Sequence, residues 1–381
     1  MRPPVQVSVT ASVTLTPAEI DQIPDHPAVF LLWASQGNPY LARTSALKRR
    51  LNRLFSSQGR LSRLLNLNGV VDRIEYWPTG SQIEAALVHL ELAQLHFPDD
   101  WPRITRLRPP SFLRLTTHNQ FPRTMITTRL GRGAFYGPFA SRAAAETFQT
   151  GLLDLFQLRR CEENLHPAPE HAGCIYGEMN RCLRPCQQVV SIDEYSGEAA
   201  RVAQFLETRG ASLKELAEQS RDRASLNMQF EEAARLHQRV ERIAEVQSSS
   251  GDLARALPSL AGIAVTPSAV ADAVDLWFLL GGVWRDPHRL SLSEDSGAGR
   301  SLDHRLHEIV EQMKTQTQRE PARAPVMEHL SILTRWHHAT WRDGEWIEID
   351  WPAKIPYRKL VNAIGRVGRP TQDKAGRPAQ T

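Results

Sequence analysis

No part of this chain runs for the ~18 consecutive apolar residues that a membrane helix needs, so no membrane span is predicted. The opening Met1-Arg2-Pro3-Pro4-Val5 lacks the charged-then-apolar layout of a secretory leader, and a cytoplasmic protein is expected. Cysteine is scarce: four in 381 residues, all of them between Cys161 and Cys186. Acidic residues are missing from two long stretches. The first holds Arg43, Lys48, Arg49, Arg50, Arg53, Arg60 and Arg63; the second holds Arg103, Arg106, Arg108, Arg114, Arg123, Arg129 and Arg132. The net charge is only +4, so the positive potential is local. Acid-free basic stretches suit a phosphate backbone, and DNA is the expected partner. A chain 41% apolar and 23% charged is neither fibrous nor disordered, and its length allows two or three domains. Internal repeats are absent.

What is present predicts an α+β protein. Ala28–Trp33 is a β-rich run, the Gly37-Asn38-Pro39 turn follows, and Tyr40–Ala42 completes a hairpin. Val5, Val7 and Val9 alternate as a short edge strand would. From Ser45 to Phe55 an apolar stripe at Ala46, Leu47, Leu51, Leu54 and Phe55 runs opposite arginines, which predicts a helix. A strand over Val70–Tyr76 and a helix over Ser81–Leu95 close a first domain, residues 20–100. Residues 101–190 form a basic connector with the cysteines. Ser191-Ile192-Asp193-Glu194 is a capping-box pattern that opens a helical region, 191–247, interrupted near Gly210 and Ser225. Ser248–Gly251 is a linker by composition. Residues 255–364 mix strand and helix patterns in a second α+β domain. Residues 365–381 are Gly, Arg, Pro and polar, the composition of a disordered tail.

The cysteines are spaced C-x12-C-x7-C-x3-C, too close together to be unrelated core residues. A reducing compartment disfavours pairing them as disulfides. Four thiolates converging on one point suit a tetrahedral zinc or an iron–sulfur cluster, and the spacing leaves the choice open.

Three segments carry a family resemblance. Phe156-Gln157-Leu158-Arg159-Arg160-Cys161, Cys174-Ile175-Tyr176-Gly177 and Arg181-Cys182-Leu183-Arg184-Pro185-Cys186 resemble the cysteine region of UvrC, a component of the bacterial UvrABC excinuclease. Phe121-Pro122-Arg123 and Phe135-Tyr136-Gly137-Pro138-Phe139 are similar to that family's connector. The run from Leu226 to Leu236, with Phe230, Glu231, Glu232, Ala233, Ala234 and Arg235 at its centre, resembles the UVR motif that pairs with the excinuclease component UvrB. The resemblance covers residues 20 to 247. It implies a [4Fe–4S] cluster, with zinc the alternative, on Cys161, Cys174, Cys182 and Cys186.

For the first domain the resemblance implies a GIY-YIG nuclease. That chemistry needs a tyrosine to deprotonate water, an arginine on the phosphate and a carboxylate on a divalent metal. Tyr40 and Arg50 stand at two of these catalytic positions, and Arg43 replaces the family lysine. Phe30 replaces the first tyrosine and His89 the metal carboxylate; Pro110, Ser111 and Phe112 follow Arg108-Pro109 where an asparagine is expected. Glu91 cannot substitute, since two residues along a helix turn it by about 200°. A histidine is also a poor ligand for a magnesium ion, which prefers oxygen. The expectation is a nucleotide excision repair protein that binds DNA without sequence preference, through Arg43, Lys48, Arg49, Arg50 and Arg53. It docks on UvrB and does not cut. The alternative is a GIY-YIG endonuclease making a single-strand incision, which would require magnesium or manganese. The acidic residues of the family's second nuclease find no match in Leu260–Trp284, where Asp275 is the only acid of the Val274–Trp284 run.

Overall fold

A computed structural model of the chain describes residues 5–8, 20, 22–34, 36–55, 71–292, 301–319 and 326–368. Arg60, Arg63 and most of the predicted C-terminal tail lie outside these residues. The chain divides into two compact units: residues 1–108 with 261–325 and 335–381, and residues 109–260 with 326–334.

In the first unit, strands β1 (Val5–Ser8), β2 (Ala28–Ala34), β3 (Tyr40–Thr44) and β4 (Val71–Pro78) form an antiparallel sheet in the order β1-β4-β2-β3. The expected edge strand is thus β1. Alternation along β2 divides the sheet into two faces. Ala28, Phe30 and Leu32 join Leu47, Leu51, Leu54 and Phe55 of helix α1 (Leu47–Phe55) in one core. Val29 and Leu31 join Trp77 and Leu92 in another, beneath helix α2 (Gln82–His96). Ser81 caps α2 by accepting from the Glu84 N–H at 3.2 Å, and the Glu84 carboxylate accepts from the Gly80 N–H at 2.7 Å. A short helix, α3 (Trp101–Thr105), ends this segment.

The same unit holds the C-terminal α+β segment. β9 (Ala261–Pro267) and β10 (Ala273–Leu280) pair along their whole length. β10 turns through Gly281 and Gly282, both at positive φ, into β11 (Val283–Trp284). β12 (His288–Ser291) flanks β10, and β13 (Glu345–Glu348) flanks β9. Helices α9 (Leu302–Arg319) and α11 (Tyr357–Val367) cover this sheet with Leu306, Val310, Met313, Leu360 and Ile364. Between them in sequence, helix α10 (Val326–His337) is divided between the two units. α11 carries three residues expected in the disordered tail, because Val367 packs against the core of this sheet. Gly80 touches the β9–β10 turn so closely that a Cβ on it would sit 2.2 Å from the Ser268 carbonyl carbon. Two bonds reinforce the contact. The Gln82 N–H donates to Asp343 Oδ2 at 2.5 Å, and its side-chain amide donates to the Trp341 carbonyl at 3.0 Å.

The second unit is built on β5 (Ser111–Leu115), β6 (Thr124–Thr127), β7 (Ala134–Phe139) and β8 (Arg255–Ala256), in the order β6-β5-β7-β8. Helix α4 (Arg142–Leu155) packs on this sheet through Ala145, Phe148 and Leu152. After the cysteine segment, which contains the short helix α5 (Ile175–Glu178), come α6 (Ile192–Glu207), α7 (Ala211–Leu226) and α8 (Phe230–Ser249). The predicted capping box at Ser191 is formed in full. The Ser248–Gly251 run is not a free linker. Ser248, Ser249 and Ser250 each donate a hydroxyl, at 2.8 Å, to the carbonyl three residues back, which finishes α8 and buries Ser250.

Candidate functional site

The four thiols line one small cavity, walled also by Arg159, Arg160, His171 and Arg184. Cys182 and Cys186 are buried, Cys161 is half-buried and Cys174 is exposed. Among the described residues, no three His, Cys, Asp or Glu side chains meet closely enough to hold a single metal ion. The cysteines ring the cavity. Burial pushes the Cys182 thiol up to about 11, and the Arg184 backbone N–H, 3.4 Å from Cys182 Sγ, partly opposes that rise. Burial raises Cys186 as well.

Backbone conformation bends the segment around the cavity. Asn180, Arg184 and Gln188 take left-handed conformations near φ 55 and enclose a 3₁₀ turn over Pro185–Gln187. Helix α6 then fixes the strand-like run before Cys161. The Glu198 carboxylate accepts from the Gln157 N–H at 2.6 Å, and the buried Tyr195 hydroxyl accepts from the Arg159 N–H at 2.9 Å. Tyr195 itself donates to the Pro122 carbonyl at 2.9 Å. Arg159, only 2% exposed, donates to the carbonyls of Phe121 and Glu163 and reaches Cys161 Sγ at 3.6 Å. Sequence reasoning missed Arg159, Tyr195 and Glu198 as supports, since nothing local marks a buried arginine two residues before a cysteine.

The expected nuclease residues do not share one site. Tyr40 lies on the α1 face, its ring 6.2 Å from that of Phe30, and its hydroxyl is 3.3 Å from an Arg50 guanidinium nitrogen. Phe30 is fully buried in the core under α1. Alternation along β3 places Arg43 on the opposite face with Leu41, and His89 of α2 lies there too. His89 is 7% exposed, and burial, reinforced by the Arg43 charge, lowers its pKa to about 4. It is therefore a neutral histidine beside a cation. Glu91 is exposed, as the helical turn requires. Phe112 belongs to β5 of the second unit, fully buried against Phe135.

The other expected DNA contacts differ in use. Arg53 is exposed, while Arg49 is paired with Asp25 at 2.9 Å and Lys48 is half-buried. Arg114 is structural: it donates to the Arg132 carbonyl at 2.7 Å and lies over the Phe135 ring. Asp275 pairs with Arg289 at 3.1 Å, across the β10–β12 pair. At the UVR-like segment, α7 and α8 form a hairpin whose tip exposes Leu226, Met228 and Phe230, the last by 69%. Glu231, Ala234 and Arg235 are exposed, Glu232 and Ala233 half-buried. Val240, which the spacing groups with them, instead faces inward with Ile243 and Val246. No helix among the described residues is long and apolar enough to cross a membrane.

Residues 111–206 match the family described as UvrC/Cho excinuclease, middle domain, which spans the β5–β7 sheet, α4, the cysteine segment and nearly all of α6. Over these residues the chain is similar to UvrC proteins. Among its curated relatives is UvrABC system protein C of Dehalococcoides mccartyi, 25% identical over 92% of this chain and 58% of that protein. The proteins of the same name from Moorella thermoacetica and Symbiobacterium thermophilum are 27% and 26% identical, over 76% and 90% of this chain. Those matches cover 48% and 55% of the relatives, so the chain spans about half of their length. No solved structure gives a significant match.

Proposed function

We propose that this chain is a UvrC-like excinuclease protein of nucleotide excision repair that binds DNA and UvrB and does not cut. The observation that carries the reading is the separation of the nuclease positions. Tyr40 and Arg50 touch on one face of the sheet, while Phe30 is core and His89 is buried and neutral on the other. A phenyl ring moves no proton, and a buried neutral imidazole beside Arg43 is no ligand for a hard dication. Arg50 keeps a phosphate-binding role without any metal.

Cys161, Cys174, Cys182 and Cys186 would hold the cluster. Four thiolates hold either a single zinc, through bonds of about 2.3 Å, or a [4Fe–4S] group, and the resemblance of the cysteine segment to its family favours the cluster. Bound there, the cluster supplies a four-point crosslink of the segment and a capacity for one-electron chemistry. The exposed apolar tip at Leu226, Met228 and Phe230 supports docking of UvrB.

The competing reading, an active endonuclease, is favoured by the Tyr40–Arg50 contact at 3.3 Å. A supercoiled plasmid incubated with the protein and magnesium or manganese should stay intact while a mobility shift reports binding. Metal-dependent nicking that a Tyr40→Phe variant loses would restore the enzyme. Protein purified without oxygen should be brown; colourless protein with one zinc would replace the cluster but keep the site.

A further inference from the structure

The second unit carries a basic face that neither acid-free stretch of the sequence includes. Arg235, Arg239 and Arg242 of α8 are spaced four and three residues apart, which places them within about 60° of one another around the helix. All three are exposed. With Gln238 they line a cleft of about 320 Å³, whose other wall is Asp154 and Leu155 at the end of α4. The cleft exists because α4 and α8 approach closely: a Cβ on Gly151 would lie 2.9 Å from a Val246 methyl.

Asp154, the cleft's own carboxylate, is already engaged. It accepts from Arg160 at 2.7 Å and from Arg181 at 3.1 Å. Arg235 pairs with Glu232, but neither Arg239 nor Arg242 pairs with a carboxylate among the described residues. Positive charge is therefore in surplus, and it extends through Arg160 to the rim of the thiol cavity, where Arg160 lies 5.2 Å from the Tyr176 ring. From Arg235 to Arg242 the helix rises about 10 Å. One strand of a duplex presents roughly three phosphates over that length. Guanidiniums hold phosphate oxygens in a fork that lysines cannot offer.

We infer that the Arg235–Arg239–Arg242 face seats the sugar–phosphate backbone of DNA beside the cysteine centre. The inference rests on the DNA-binding reading above and adds a location to it. The test uses the full chain and a fluorescein-labelled duplex of about 20 base pairs, titrated at several salt concentrations. Arg239→Gln with Arg242→Gln should weaken binding about tenfold or more and make the salt slope shallower by about two. Arg239→Lys with Arg242→Lys should recover most of the slope, since the charge returns. Arg358→Gln with Lys359→Gln removes equal charge from α11 and should leave the slope nearly intact. Unchanged binding in the first pair, or equal losses in both neutralised pairs, overturns the inference while the DNA-binding reading stands. Loss of UvrB binding with DNA affinity intact overturns it too and gives the face to a protein partner. Failure of the unaltered chain to bind DNA removes the underlying reading and the inference with it.

Discussion

His89 shows how much a single position decides. The family pattern places a carboxylate there, and this chain buries an imidazole whose pKa is lowered to about 4 by burial and by Arg43. Between pH 4 and the ordinary 6.5, the unfolded chain binds a proton that the folded chain refuses. Stability is therefore fully present above pH ~6.5 and falls as the pH drops toward 4, by up to about 3 kcal/mol. His89→Leu keeps bulk and removes the titration. Urea denaturation at pH 7 and pH 5 should show a drop in the unaltered chain and a much smaller one in the variant. An equal drop in both would assign the acid sensitivity to other groups. Sequence alone identified the replacement at 89 but not the pKa, because the burial that lowers it most comes from tertiary packing and the second cause, the Arg43 charge, lies 46 positions away on a strand.

Among the elements, the α7–α8 hairpin separates what local pattern can tell from what it cannot. Helix existence was legible: the Ser191 capping box, the breaks near Gly210 and Ser225, and the apolar spacing all appear where expected. The inward and outward faces were not, because Ala233, Ala234 and Val240 fit either side of a helix until α4 and α7 claim one. The serine run after α8 misled for a similar reason. Serine marks linkers, yet its hydroxyl equally serves free carbonyls at a helix end. Phe230 is large, apolar and 69% exposed at the tip, the condition of an interface anchor. Phe230→Ala should weaken UvrB binding by about 2 kcal/mol in a calorimetric titration, with α-helical content unchanged. Full affinity would leave the hairpin a purely internal device.

At the scale of the whole molecule, the first unit is discontinuous in sequence, and Gly80 is a point where its N-terminal segment presses on the β9–β10 turn. A methyl group there meets backbone, which cannot move aside as a side chain would. Gly80→Ala should lower the melting temperature by several degrees. Gly197→Ala, in open space within α6, should leave it unchanged or raise it slightly. No sequence pattern announces such a contact, since Gly80 reads as an ordinary turn residue after Pro78-Thr79. The interleaving also bears on synthesis. Residues 109–260 emerge from the ribosome while the first 108 still await Ser268, Trp341 and Asp343, and the second unit in turn lacks residues 326–334. Neither unit has its full set of residues until translation has passed position 334. A ribosome stalled between positions 260 and 334 therefore displays two unfinished domains at once, both open to chaperones and proteases.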